Sequence, residues 1–164
     1  MVGAGPHPAD ESFARGAIFS ETAAARQMRR TNMSESDASA PLVLIADDNP
    51  QILELLEAYL EPLRVRIQTA RDGAQTLEAV AAERPALILL DIMMPKFSGF
   101  EVCTRLKRDP STADIPIVMV TALNELGDME RARDSGADAY LSKPVNKLEL
   151  HECVRKHLGL GPES

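Results

Sequence analysis

Between residues 42 and 159 the chain repeats one pattern five times: a short apolar run, a polar residue at its carboxyl end, then a stretch with helical spacing. The runs "LVLIA" (42–46), "ALILL" (86–90) and "IPIVMVT" (115–121) are too short for buried helices and rich in branched residues. Each is therefore predicted to be a strand covered on both faces. "RVRIQTA" (64–70) alternates with one less apolar face, as at a sheet edge, and "AYLSK" (139–143) is the last strand. In the first helix Asn49 can cap and Pro50 can take the first position, with Ile52, Leu55, Leu56, Tyr59 and Leu60 on one side and Pro62 as the stop. Asp72-Gly73 opens a second helix that ends before Pro85, and "IMMPKFSG" leads into a third, "FEVCTRLKR", that ends before Pro110. "ELGDMERARDS" is closed by Gly136, and Asn146 caps a last helix with Leu150, Val154, His157 and Leu158 on one side.

Strands that alternate with helices imply an α/β fold with a parallel sheet, helices on both faces and right-handed crossovers. The doubly wound, flavodoxin-like order 2-1-3-4-5 fits best, because the first and third strands are the most continuously apolar and the second reads as an edge. A chain of 164 residues suits one such domain, placed at 41–160, with a short tail at 161–164. Trp is absent and aromatics are 4%, so the core is built from Leu, Ile, Val, Ala and Met. Residues 1–40 have no sustained apolar period and read as a disordered extension, with Met33 as an alternative start; a short partner-bound helix through Phe13, Ile18 and Phe19 is the other reading. The net charge of -7 disfavours direct contact with nucleic acid or anionic lipid. No run reaches the ~18 apolar residues of a membrane span, no secretion signal is evident, and the protein is read as cytoplasmic. Cys103 and Cys153 are far apart in predicted helices and are read as reduced thiols.

In a sheet of this order ligands bind outside the carboxyl ends of the strands, where the strand order reverses. The residues at those ends are Asp47 and Asp48 after the first strand, Asp91 after the third, Thr121 on the fourth and Lys143 on the fifth. Crowded carboxylates near neutral pH need a proton or a metal, and an all-oxygen set favours a hard cation, Mg²⁺ above others. Asp91 can then act as a nucleophile that forms an acyl phosphate, with Mg²⁺ and Lys143 offsetting the phosphoryl charge and the Thr121 hydroxyl donating a hydrogen bond. Ala122 leaves room for the phosphoryl group.

"LIADDN", "LILLDIMMPKFSGFEV", "IPIVMVTA" and "GADAYLSKP" together resemble the receiver domain of two-component response regulators, over residues 42–159. The resemblance implies that Asp91 accepts the phosphoryl group from a sensor histidine kinase or a histidine phosphotransfer protein. It also implies that Asp47, Asp48, Asp91 and the main-chain carbonyl of Met93 hold Mg²⁺. Thr121 and Lys143 match the switch hydroxyl and the phosphate-contacting lysine, Tyr140 matches the switch aromatic, and Pro144 matches a cis-proline that aims Lys143. The domain is expected to catalyse only its own phosphorylation and slow dephosphorylation. Its output is expected to pass to a protein target through the face made by the fourth helix, fifth strand and fifth helix, as in a stand-alone receiver.

A phosphatase of the haloacid-dehalogenase type also uses a strand-terminal Asp, Mg²⁺, Thr and Lys. It needs an acid two residues after the nucleophile, where this chain has Met93. A phosphate-independent binding module would more typically lack one of Asp47, Asp48, Asp91, Thr121 and Lys143. Met93 and Leu123 match the positions that orient the hydrolytic water in this family, and neither can hydrogen-bond through its side chain. The acyl phosphate is therefore expected to last many minutes or longer without a partner, which a time course of label loss from the isolated phosphoprotein will check; loss within seconds contradicts it.

Overall fold

The computed structural model describes residues 39–122 and 126–161. The readings for residues 1–38, for Leu123 and for the last three residues lie outside them. The elements run β1 (Leu42–Ala46), α1 (Pro50–Leu60), a 3-10 turn (Glu61–Leu63), β2 (Arg66–Ala70), α2 (Gly73–Ala82) and β3 (Leu87–Leu90), then α3 (Gly99–Arg108), β4 (Ile117–Thr121), α4 (Leu126–Asp134), β5 (Ala139–Ser142) and α5 (Lys147–Leu158). All strands pair in parallel, in the order β2-β1-β3-β4-β5. That is the predicted doubly wound sheet, with the less apolar β2 at an edge.

Successive strand residues point to opposite faces, so each fully apolar strand supplies two cores. Leu44, Ile88, Leu90, Ile117 and Met119 pack with Val80 of α2, Val102 and Leu106 of α3 and Ala132 of α4. Val43, Ile45, Leu87, Leu89, Val118 and Val120 pack with Leu53, Leu56 and Leu60 of α1 and Leu150 and Val154 of α5. Burying one such Leu, Ile or Val side chain contributes about 1.5–3 kcal/mol. Because the layers are apolar on both sides of the sheet, polar chemistry is confined to the strand ends.

Local signals set most boundaries. Asn49 accepts from the Gln51 N–H, Asp72 from Gln75, Ser98 from Glu101, and Asn146 from Leu148 and Glu149, each capping its helix. Gly136 ends α4 in the left-handed region (φ 97), and Gly159 does so after α5 (φ 69).

Three details of the sequence reading shift. Pro62 lies inside a 3-10 turn that follows α1, and Arg64 adopts φ 56, so β2 begins at Arg66 rather than at residue 64. On α1 the side chain turned to the core is Leu53, while Leu55 is 39% exposed. On α5 the buried histidine is His151, whose Nε2 lies 2.5 Å from the Tyr59 carbonyl oxygen on α1; His157 is only half-buried.

Leu44 and Leu55 thus give opposite expectations. Leu44→Ala is expected to lower the unfolding free energy by about 3 kcal/mol, and Leu55→Ala by less than about 1 kcal/mol, as read from urea denaturation. Comparable losses at the two positions would contradict the assignment of α1's inner face.

Candidate functional site

Backbone hydrogen bonds that extend the sheet beyond its strands fix the polar residues at their ends. The Asp47 N–H donates to the Ala70 carbonyl (3.0 Å), the Asp91 N–H to Ala46 (2.9 Å) and the Lys143 N–H to Thr121 (2.9 Å). Asp47, Asp91 and Lys143 therefore project from rigidly spaced chains, those of β1, β3 and β5, with β4 between the last two. Asp47 and Asp91 are buried and Asp48 is exposed. One carboxylate oxygen from each of the three lies within 4.8 Å of the others.

Lys143 reaches into this cluster from β5. Its Nζ donates to Asp47 Oδ2 at 2.6 Å and lies 3.6 Å from Asp91 Oδ1. The other Asp47 oxygen accepts from the Asn49 N–H at 2.9 Å, so Asp47 has a partner on each side. The Lys143-Pro144 peptide is cis, in the form the resemblance implied.

Asp91 differs from its neighbour. Its pKa is raised to about 6: burial is the largest cause and the charge of Asp47 adds to it, Lys143 and the Met93 N–H act in the opposite direction, and Asp48 adds a small rise. At neutral pH Asp91 is therefore ionised but destabilised by dehydration, a state suited to a nucleophile that must shed water before it reacts.

The remaining predicted residues surround this centre. Thr121 ends β4 at 1% exposure and Ala122 beside it is exposed. The Met93 side chain is 65% exposed, while its N–H hydrogen-bonds the Asp91 carboxylate. Tyr140 pairs with Met119 in the sheet, is half-buried, and has its hydroxyl sealed from solvent with no hydrogen-bond partner among the described residues. Its pKa is raised, by burial first and by the charge of Asp128 second.

Two glycines that support the site were not identified as such from sequence. Gly99 sits so close to the Asp91 carbonyl that a side chain there would collide with it, and Gly73 packs against Phe97. The available signal was a glycine at the first position of two helices, where local preference favours other residues.

The donor set suits a hard divalent cation. It is all carboxylate oxygen, and three carboxylates against the one ammonium of Lys143 leave an excess of negative charge.

The response regulator receiver domain model matches residues 43–155. The chain belongs to this family. Among curated relatives, the receiver is 45% identical over 115 residues to the DNA-binding dual master transcriptional regulator RpaA of Synechocystis, covering 70% of this chain and 48% of that protein. It is 42% identical over 113 residues to the response regulator PleD of Caulobacter vibrioides, covering 69% of this chain and 25% of that protein. The chain thus spans about half or less of the length of these relatives. Among solved structures, a CheY-like receiver domain protein from Methanospirillum hungatei superposes with a TM-score of 0.69 at 29% identity, covering 74% of this chain and 95% of that one. The receiver domain of sensor histidine kinase PA1611 from Pseudomonas aeruginosa, which has a magnesium ion coordinated in its active site cleft, gives 0.69 at 27% identity, covering 74% and 99%. Among the described residues of this receiver, no helix is long and apolar enough to cross a membrane.

The raised pKa of Asp91 has a measurable effect on stability. The folded receiver binds this proton more tightly than the unfolded chain, so stability falls as pH rises from the ordinary value of 3.8 through about 6, and the full cost remains above that. Metal-free Asp91→Asn does not bear this cost. It is expected to exceed the wild type in stability at about pH 7 by on the order of 1 kcal/mol, with the gap closing as the pH falls toward about 4. Urea unfolding in a chelator across that range measures it, and a gap independent of pH contradicts it.

Proposed function

We propose that this receiver accepts a phosphoryl group on Asp91 from a phosphohistidine of a sensor histidine kinase or a histidine phosphotransfer protein, and signals by changing a protein-binding surface. The observation that carries this reading is the shared centre of Asp47, Asp48, Asp91 and Lys143, at the sheet edge where the strand order reverses. Asp47, Asp48, Asp91 and the Met93 main-chain carbonyl would hold Mg²⁺. When bound, the ion supplies positive charge that offsets the charge on the phosphoryl oxygens.

A carboxylate oxygen of Asp91 attacks the phosphorus. The P–N bond of the donor breaks, its electron pair stays with the imidazole nitrogen, and that nitrogen takes up a proton from solvent. The product is an acyl phosphate on Asp91 and a neutral histidine on the donor. Lys143, already held beside both Asp47 and Asp91, stabilises the anionic oxygens as they move onto Asp91. The Thr121 hydroxyl donates to the phosphoryl group, and Ala122 is small enough to admit it.

The signal is read out through α4, β5 and α5. Tyr140 supports this part of the reading, because its hydroxyl is buried with no partner among the described residues, and such a group costs about 1–3 kcal/mol. That cost brings the inward ring closer in energy to a solvent-facing one, so a modest pull on Thr121 can change the balance between them. Output then passes to a protein target that recognises this face, without direct nucleic acid contact.

Incubation with acetyl phosphate and Mg²⁺ tests the chemistry. The intact mass is expected to rise by one phosphate in the wild type and to stay unchanged for Asp91→Asn or in excess chelator. A mass gain that persists in Asp91→Asn, or none in the wild type, refutes it.

A further inference from the structure

The segment between β3 and α3, residues 92–98, carries the Met93 N–H that contacts Asp91 and the Met93 carbonyl assigned above to the metal. Its far half is shaped by an unusual turn. The Phe97 N–H donates to the Pro95 carbonyl at 2.9 Å, and the residue between them, Lys96, has φ 72. A bond to the second residue back, around a positive φ, belongs to the strained γ-turn form. A lysine does not adopt that backbone without help from its surroundings.

The help comes from the start of α2, and from residues outside the site. The Gly73 N–H donates to the same Pro95 carbonyl at 3.2 Å. Asp72, the cap of α2, has Oδ2 3.6 Å from Lys96 Nζ. Gly73 itself lies so near the loop that a Cβ there would stand 2.5 Å from both Cβ and the carbonyl oxygen of Phe97. Phe97 cannot retreat freely, because its ring packs against the core edge and lies under the Arg105 guanidinium, 4.2 Å from the ring centroid. The other end of the loop is closed too. The Gly99 N–H donates to the Ile92 carbonyl at 2.9 Å, and Gly99 lies against the Asp91 carbonyl. A displacement imposed at Phe97 must therefore be taken up by the residues between, and Met93 is among them.

We infer that Gly73 is a positioning residue for the metal site: by admitting Phe97 and bonding Pro95, it holds the Met93 main-chain groups at the distance from Asp91 that Mg²⁺ binding requires. Helix preference alone would favour alanine at this first position of α2. The close approach of the loop is the reason against it. The inference rests on the proposed metal site and adds a residue with no atom in it.

Calorimetric titration with MgCl₂ of the wild type, Gly73→Ala, Phe97→Ala and Gly127→Ala provides the test, with circular dichroism and thermal melts as the check on folding. Gly127, on α4, has open space around it and serves as the control. Gly73→Ala and Phe97→Ala are expected to weaken Mg²⁺ binding about tenfold, the scale of losses when support behind a metal ligand is removed, while Gly127→Ala binds as the wild type does. Phe97→Ala leaves the charge of the site unchanged and keeps the Cβ and carbonyl that face Gly73 while removing the ring that anchors the loop. It therefore tests the loop's hold on Met93 should Gly73→Ala not fold, and an unchanged Kd there would overturn the inference. Folded variants that melt at lower temperature but keep the wild-type Kd would reduce Gly73 to a packing role and overturn the inference. A wild type that takes up no Mg²⁺ would overturn the metal site as well, which separates that failure from this one.

Discussion

Everything at the working end of this molecule depends on one ammonium group placed among three carboxylates. Lys143 Nζ contacts both Asp47 and Asp91, and Asp48 adds its charge from the solvent side. Like charges at such range repel strongly where water is scarce. One lysine relieves part of that repulsion and leaves the equivalent of two negative charges when all three acids are ionised. The fold tolerates this only because the cluster sits at a sheet edge, open to water on the side of Asp48. The residual charge is the attraction that a divalent cation meets.

The sheet makes the cluster possible by aligning the ends of its strands. Parallel pairing of β1 with β3, and of β3 with β4 and β4 with β5, fixes where each chain leaves the apolar layer. Backbone bonds from Asp47, Asp91 and Lys143 extend that alignment one residue further. The two cores above and below are made of interlocked aliphatic side chains that resist deformation. Asp91, its charge partners and the loop that follows it are thus held by rigid elements, although the clustered polar residues stand outside the regular strands or at their last positions.

Asp91 and Tyr140 both carry a cost imposed by burial. Asp91 is dehydrated and pressed by Asp47, and the Tyr140 hydroxyl is enclosed without a partner among the described residues. Groups held at a cost by the surrounding fold respond to a small local change with a large shift in preference. Asp91 follows β3 and Tyr140 lies in β5, so the two groups stand on either side of β4.

The sequence by itself determined the architecture. Short branched apolar runs can bury both faces only inside a parallel sheet, and Asn49, Asp72, Ser98 and Asn146 accept the first free N–H groups of their helices through local contacts. It also determined which residue types meet at the strand ends, because strand order and the carboxyl-end rule bring Asp47, Asp48, Asp91, Thr121 and Lys143 to one edge. Only the tertiary structure decided which face of α1 turns inward, with Leu53 buried and Leu55 exposed, and which α5 histidine is buried. Spacing alone admits either choice until a partner surface exists. It likewise decided that Asp47 is enclosed while Asp48 is not, that the pKa of Asp91 rises, and that Gly73 and Gly99 are required by neighbours distant in sequence. Burial, charge proximity and steric contact are properties of chains brought together, and no residue carries them alone.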